Sequence, residues 1–147
     1  MNDNHKPVNP LLCKVNQTPH ANVLKLELVD AEHNKVTLKL PFSEKIIGDP
    51  FKRIIHGGAI TTLMDTVCGA AVFQAQGNFQ SMATLDLRVD HMQAATSGAD
   101  VYATAECYRL TNTVAFIRGV AYTDNIDDPI ATAVATFMRS NIEFPVR

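Results

Sequence analysis

The sequence predicts an α+β fold in which an antiparallel β-sheet wraps around one long central helix. From Gly57 onward, Ile60, Met64, Val67 and Ala71 fall on one stripe at helical spacing, and Gly77 and Asn78 supply the stop signal. On both sides of this segment, apolar and polar residues alternate at strand spacing. There is no helix–strand alternation of the kind that builds a parallel sheet. A helix this apolar must be covered on most sides, and a sheet curling around it is the economical cover.

At 147 residues the chain has the length of one domain. Residues 1–19 read as an N-terminal segment that can carry a short helix, with Asn9 as its cap and Pro10 at its first position. Residues 20–147 read as a single domain. Its first strands are "VLKLELVD" and "KVTLKLPF", a hairpin around "AEHN", followed by a Gly/Pro-containing loop, "SEKIIGDPFKRII". After the helix come four strands: "SMATLDLRVDHM", "ADVYATAECYRL", "TVAFIRGVAYTD" and "PIATAVATFMRS".

Composition narrows the function classes. The net charge is -2 and no block of Lys or Arg stands out, which argues against nucleic acid or a membrane surface as partner. Cys13, Cys68 and Cys107 are odd in number and contain no CxxC, so neither a disulfide framework nor a zinc knuckle is indicated, and Cys68 reads as core filler. His5, His20, His33 and His91 lack metal-ligand spacing. The start "MNDNHKPVNPLLCK" has no apolar signal core and no stretch is long enough to span a bilayer, so the expected location is cytoplasmic. GxSxG, Walker and GxGxxG patterns are missing.

The chemistry concentrates in "HGGAITTLMD", His56 to Asp65. Gly57 and Gly58 fall where a helix leaves backbone N–H groups unpaired, so a carbonyl oxygen can dock there and be stabilised as an oxyanion. The same pair also suits a tight loop-to-helix turn. Asp65 borders the core about 140° from the apolar stripe, where a carboxylate suits a general base or nucleophile if Thr61 or Thr62 satisfies it, or is a solvated residue on the exposed side. His56 can donate to a substrate or fix the loop. Eight residues separate Gly57 from Asp65, about 12 Å of helical rise, whereas groups acting on one carbonyl need to lie within roughly 6 or 7 Å. If they cooperate, two chains must meet, and the spacing predicts an obligate dimer with two equivalent interface sites.

With "HGGAITTLMD", "ATLDLRVDHM" and "ATAVATFM" in this order, the chain resembles the hotdog-fold acyl-CoA thioesterases of the PaaI-like type over about residues 20 to 142. The resemblance implies a hotdog fold, homodimers with a continuous sheet that pair into homotetramers, and hydrolysis of an acyl-CoA thioester without metal or redox cofactor. By motif position it implies Asp65 as base or nucleophile, Gly57 as oxyanion donor and His56 as the group that orients the thioester. Thr84 would place the attacking water, and Gly58 and Thr61 would complete the substrate site. Many relatives carry Asn or Gln six residues ahead of the histidine. Here Pro50 stands there, preceded by Asp49, the substitute the sequence offers. Arg88, Arg118 and Arg139 are the candidates for CoA phosphates. The competing readings are a non-catalytic acyl-CoA-binding or regulatory module and a hotdog dehydratase or hydratase, which would need a paired His and acid.

Overall fold

The apolar stripe folds as the central helix of the protein, and its burial spreads well beyond the stripe. The computed structural model describes residues 9–78, 80–96 and 98–143. Its helices are α1 (Pro19–Leu24) and α2 (Gly57–Gln76), and its strands are β1 (Glu27–Glu32), β2 (Lys35–Leu40), β3 (Ile47–Asp49), β4 (Ile54–Ile55), β5 (Gln80–His91), β6 (Val101–Leu110), β7 (Val114–Tyr122) and β8 (Ala131–Glu143). Leu63, Met64, Val67, Cys68, Ala71 and Val72 of α2 have no exposed surface. The helix stops at Gly77, whose φ of 68° is the left-handed conformation that glycine adopts without strain.

Six strands cover α2 in the order β1-β2-β6-β7-β8-β5, every neighbouring pair antiparallel. This is the hotdog arrangement. Period-two alternation turns small side chains toward the helix: Ala103 and Ala105 of β6, Ala115 and Ala121 of β7, and Ala133 and Ala135 of β8 are buried. Small residues at these positions let the sheet close tightly on an apolar cylinder. On β8 the alternate residues Val134 and Met138 are exposed.

Strand β5 forms one edge of the sheet and shifts register between Gln80 and Met82 and between Thr84 and Asp86. The second bulge takes Leu85 out of phase with the partly buried Leu87 and Val89, leaving it 56% exposed.

Three local readings change. Val23 and Leu24 belong to α1 and not to the first strand, because Thr18 and Pro19 start a helix that Lys25 closes in the left-handed conformation (φ 55°). The segment between β2 and α2 contains the β3–β4 ladder, which pairs Ile47 with Ile55. Residues 10–17 form a 3-10 segment. The Asn9 side chain, expected to cap it, donates through Nδ2 to the Phe73 and Asn78 carbonyls, while the Asn9 N–H donates to Gln74 Oε1. Those carbonyls lie at the end of α2, where the Phe73 carbonyl also accepts the Gly77 N–H at 3.1 Å. The polar residues 1–7 lie outside the described residues. Among the described residues no helix is long and apolar enough to cross a membrane.

Met64, fully buried where α2 meets the sheet, tests this packing: Met64→Ala is expected to lower unfolding stability by about 3 kcal/mol in urea titration.

Candidate functional site

Strand β3 anchors the mouth of α2. The His56 N–H donates to the Ile46 carbonyl at 2.7 Å. A Cβ on Gly48 would stand 2.8 Å from His56 Cα, so only glycine lets β3 lie this close. His56 is the N-cap of α2, and its Nδ1 accepts the Gly58 N–H at 2.8 Å. In the neutral imidazole an accepting Nδ1 leaves the proton on Nε2, on an exposed side chain able to donate. Gly58 has a steric reason as well, since a Cβ there would meet His56 Nδ1 at 2.9 Å.

The first-turn donors are therefore unequal. The Gly58 amide is taken by the His56 ring and the Ala59 amide by the His56 carbonyl. Gly58, expected to bind substrate, has its amide engaged by the histidine ring. The exposed Gly57 N–H has no acceptor among the described residues. A Cβ on Gly57 would find only the His91 ring, at 3.6 to 4.0 Å, an ordinary contact. Packing within the chain thus leaves room for alanine at position 57.

Asp65 lies two turns further along. It is half-buried, and its Oδ1 accepts the Thr84 hydroxyl at 3.0 Å. Thr61 and Thr62, the partners expected from the sequence, donate back to the Gly57 and Gly58 carbonyls instead, as helical threonines commonly do. Asp65 Oδ2 has no partner among the described residues. Asp65 and Thr84 line a cavity of about 690 Å³ whose other walls come from the 3-10 segment, α2, β5 and Phe137 of β8. One carboxylate oxygen is thus held by a hydroxyl and the other is free to take a proton from water.

The structure brings Asp65 and Thr84 together at the cavity, and His56, Gly57 and Gly58 together at the helix mouth, but it does not join the two groups within one chain. Asp49 stays outside both, its Oδ1 accepting the Phe51 and Lys52 amides that close the β3–β4 turn. Arg88 does not line the cavity and pairs with Asp90 at 3.2 Å. Arg118 pairs with Glu106 and lies over the Tyr108 ring. Arg139 ties Gln76, Gln80 and the Thr111 carbonyl together.

Two contributors escape sequence reasoning. His91, set aside for want of metal spacing, has its ring against Gly57 because β5 runs back to the helix mouth. The 3-10 segment walls the cavity, although only its punctuation, Asn9-Pro10, marks it in the chain.

With this geometry in place, the comparisons are specific. The family profile described as the thioesterase superfamily matches residues 53–130, and the chain belongs to that superfamily. A Halobacterium salinarum protein named for an inferred esterase activity is 33% identical over 117 residues, 76% of each chain. A Pseudomonas aeruginosa protein of known crystal structure is 44% identical, with a TM-score of 0.82 over 91% of this chain and 100% of its own. The E. coli PaaI protein from the phenylacetic acid degradation operon, only 11% identical, shares the fold with a TM-score of 0.77 over 93% of this chain and 99% of its own. The protein is a thioester hydrolase of PaaI-like hotdog architecture.

One cysteine next to the site has an environment opposite to that of a nucleophile. Burial, reinforced by the Asp65 charge, pushes the Cys68 thiol up to about 12. Raised so far, it stays neutral throughout the physiological range, and Cys107 is buried too. Iodoacetamide at pH 8 is expected to label Cys13 alone in the native protein and all three cysteines after denaturation, as read by peptide mass mapping.

Proposed function

We propose that the protein is an acyl-CoA thioesterase whose site forms where two copies meet, with Asp65 of one protomer and the Gly57 amide of its partner acting on the same thioester. The observation that carries this reading is the split geometry: a carboxylate with a free oxygen faces a cavity, and an unsatisfied amide waits at the exposed mouth of the same helix, about 12 Å away. Neither half suffices alone.

In the proposed reaction Asp65 Oδ2 removes a proton from water as the water oxygen bonds to the thioester carbon. The carbonyl oxygen becomes an oxyanion at the partner's Gly57 N–H, and the partner's His56 donates from Nε2 to the same oxygen. Collapse reforms the C=O bond and breaks the C–S bond, and the departing CoA sulfur recovers the proton held by Asp65. Thr84 keeps the carboxylate oriented. One oxyanion donor is worth on the order of 3 kcal/mol of barrier.

The β5 edge supports the pairing. Thr84 marks the Asp65 end of this strand and His91 marks the Gly57 end. In an antiparallel β5–β5 contact, bringing the partner's Gly57 to Asp65 brings the partner's His91 toward Thr84, with the two-fold axis near the middle of the strand. Such a pair would continue the sheet across the dimer and satisfy an edge that is otherwise open to solvent. The exposed Val134 and Met138 on the outer sheet face support stacking of two such dimers.

Two substitutions test the reading. Asp65→Ala is expected to lower kcat for acyl-CoA hydrolysis about 10³-fold in a free-thiol assay, the loss of a general base. Gly57→Ala is expected to keep the wild-type Tm, because its methyl meets only an ordinary contact, and to lose about 100-fold in kcat/KM, the cost of displacing a substrate by about 1 Å. Wild-type turnover in either variant would contradict the assignment.

A further inference from the structure

Part of the wall of the Asp65 cavity is built by a stretch of the chain that lies outside the matched family region, residues 53–130. Leu12 and Val15 of the 3-10 segment line it together with Ala70 and Phe73 of α2, Met82 and Phe137. All six are apolar. The polar groups of the cavity lie toward Asp65 and Thr84 and along Lys14, Gln17 and Thr18. Leu12 is 2% exposed, so this wall is packed into the core.

A buried clip holds the segment in place. The Asn9 N–H donates to Gln74 Oε1 at 2.9 Å, and Asn9 Nδ2 donates to the Phe73 carbonyl at 2.9 Å. Gln74 is fully buried and Asn9 nearly so, and buried amides paired this way are costly to separate. The clip grips α2 at Phe73 and Gln74, the turn that carries the aromatic lining residue. The position of the wall is therefore fixed relative to α2, the helix that carries Asp65.

Resting on the thioesterase reading, we infer that the 3-10 segment is the acyl-group selector: the cavity takes an uncharged, apolar acyl chain, and Leu12 and Val15 set the length accepted. A chain bound with its carbonyl at Asp65 and its tail among Leu12, Val15, Ala70, Phe73, Met82 and Phe137 meets apolar side chains, while Lys14, Gln17 and Thr18 of the lining are exposed to solvent. A terminal carboxylate placed among those six apolar side chains would lose its hydration. The volume, about 690 Å³, lies within the range that encloses a small organic ligand.

The test uses the full-length protein with straight-chain acyl-CoAs of increasing length, together with acyl-CoAs ending in a carboxylate, and reads kcat/KM by thiol release. Wild type is expected to prefer the uncharged chains. Leu12→Trp and Val15→Phe are each expected to cut kcat/KM about tenfold or more for the longest chain accepted, while the shortest changes less than about threefold, since pocket occupancy by one or two methylenes discriminates on this scale. Asn9→Leu with Gln74→Leu, which together remove both side-chain halves of the clip, is expected to flatten the length profile. In parallel, calorimetry with non-hydrolysable thioether analogues reads chain-length order as affinity. If no thioester is cleaved but the analogues bind in a length order that Leu12→Trp erases, the selector stands and the catalytic reading falls. A profile unchanged in Leu12→Trp and Val15→Phe, or a preference for the carboxylate-ended chains, would overturn the selector while leaving hydrolysis intact.

Discussion

An α-helix cannot shorten itself, and this rigidity governs the site. Helix α2 carries an amide donor at its mouth and a carboxylate eight residues along, a separation of about 12 Å that no rotamer can close. The sheet makes the separation permanent. Leu63, Met64 and Val67 are locked without exposed surface between the two functional ends, so the helix can neither bend nor slide to bring them together. In the proposed site, a well-folded protomer therefore supplies only half of the groups.

The same helix shows how fold and chemistry share residues. His56 is both the cap that starts α2 and the imidazole beside the free amide. By accepting the Gly58 N–H it leaves Gly57 as the open donor and turns Nε2 outward. Gly48 is there because β3 must pass within contact of His56. At the other end, Thr84 on β5 ties the edge strand to Asp65 across 19 positions of sequence. Any second copy that pairs with β5 is therefore aligned to the carboxylate by the sheet itself.

Much of this was legible in the chain. The stripe Ile60, Met64, Val67, Ala71 located the helix, Gly77 located its end, and alternation located the main strands, because burial on one face imposes a period that composition cannot hide. The β3–β4 ladder was not legible, since strands of three and two residues are too short to show a period. Val23 and Leu24 misled by continuing an alternation that a Thr-Pro helix start overrode. Asp65 and Gly57 were singled out from spacing and motif, and the hydrogen-bond partner of Asp65 was misread. Thr61 and Thr62 are close in sequence, but the i−4 carbonyl claims their hydroxyls. Thr84 was reached only through the family resemblance, and His91 and the 3-10 wall reach this region through tertiary return of the chain, which leaves no local pattern. The arginines are engaged within the chain, where a guanidinium finds a carboxylate or an amide oxygen wherever the sheet supplies one, as Arg88 and Arg139 do.

The most direct measurement is subunit complementation. Asp65→Ala and Gly57→Val proteins, each inactive alone, are mixed in equal amounts under conditions of subunit exchange, and thiol release from an acyl-CoA is followed. Random exchange makes half of the dimers mixed, and one of the two interface sites in each mixed dimer pairs a native Asp65 with a native Gly57, so activity should return to about a quarter of wild type. No recovery, with mixed dimers confirmed by native mass spectrometry, would contradict a site shared between two chains.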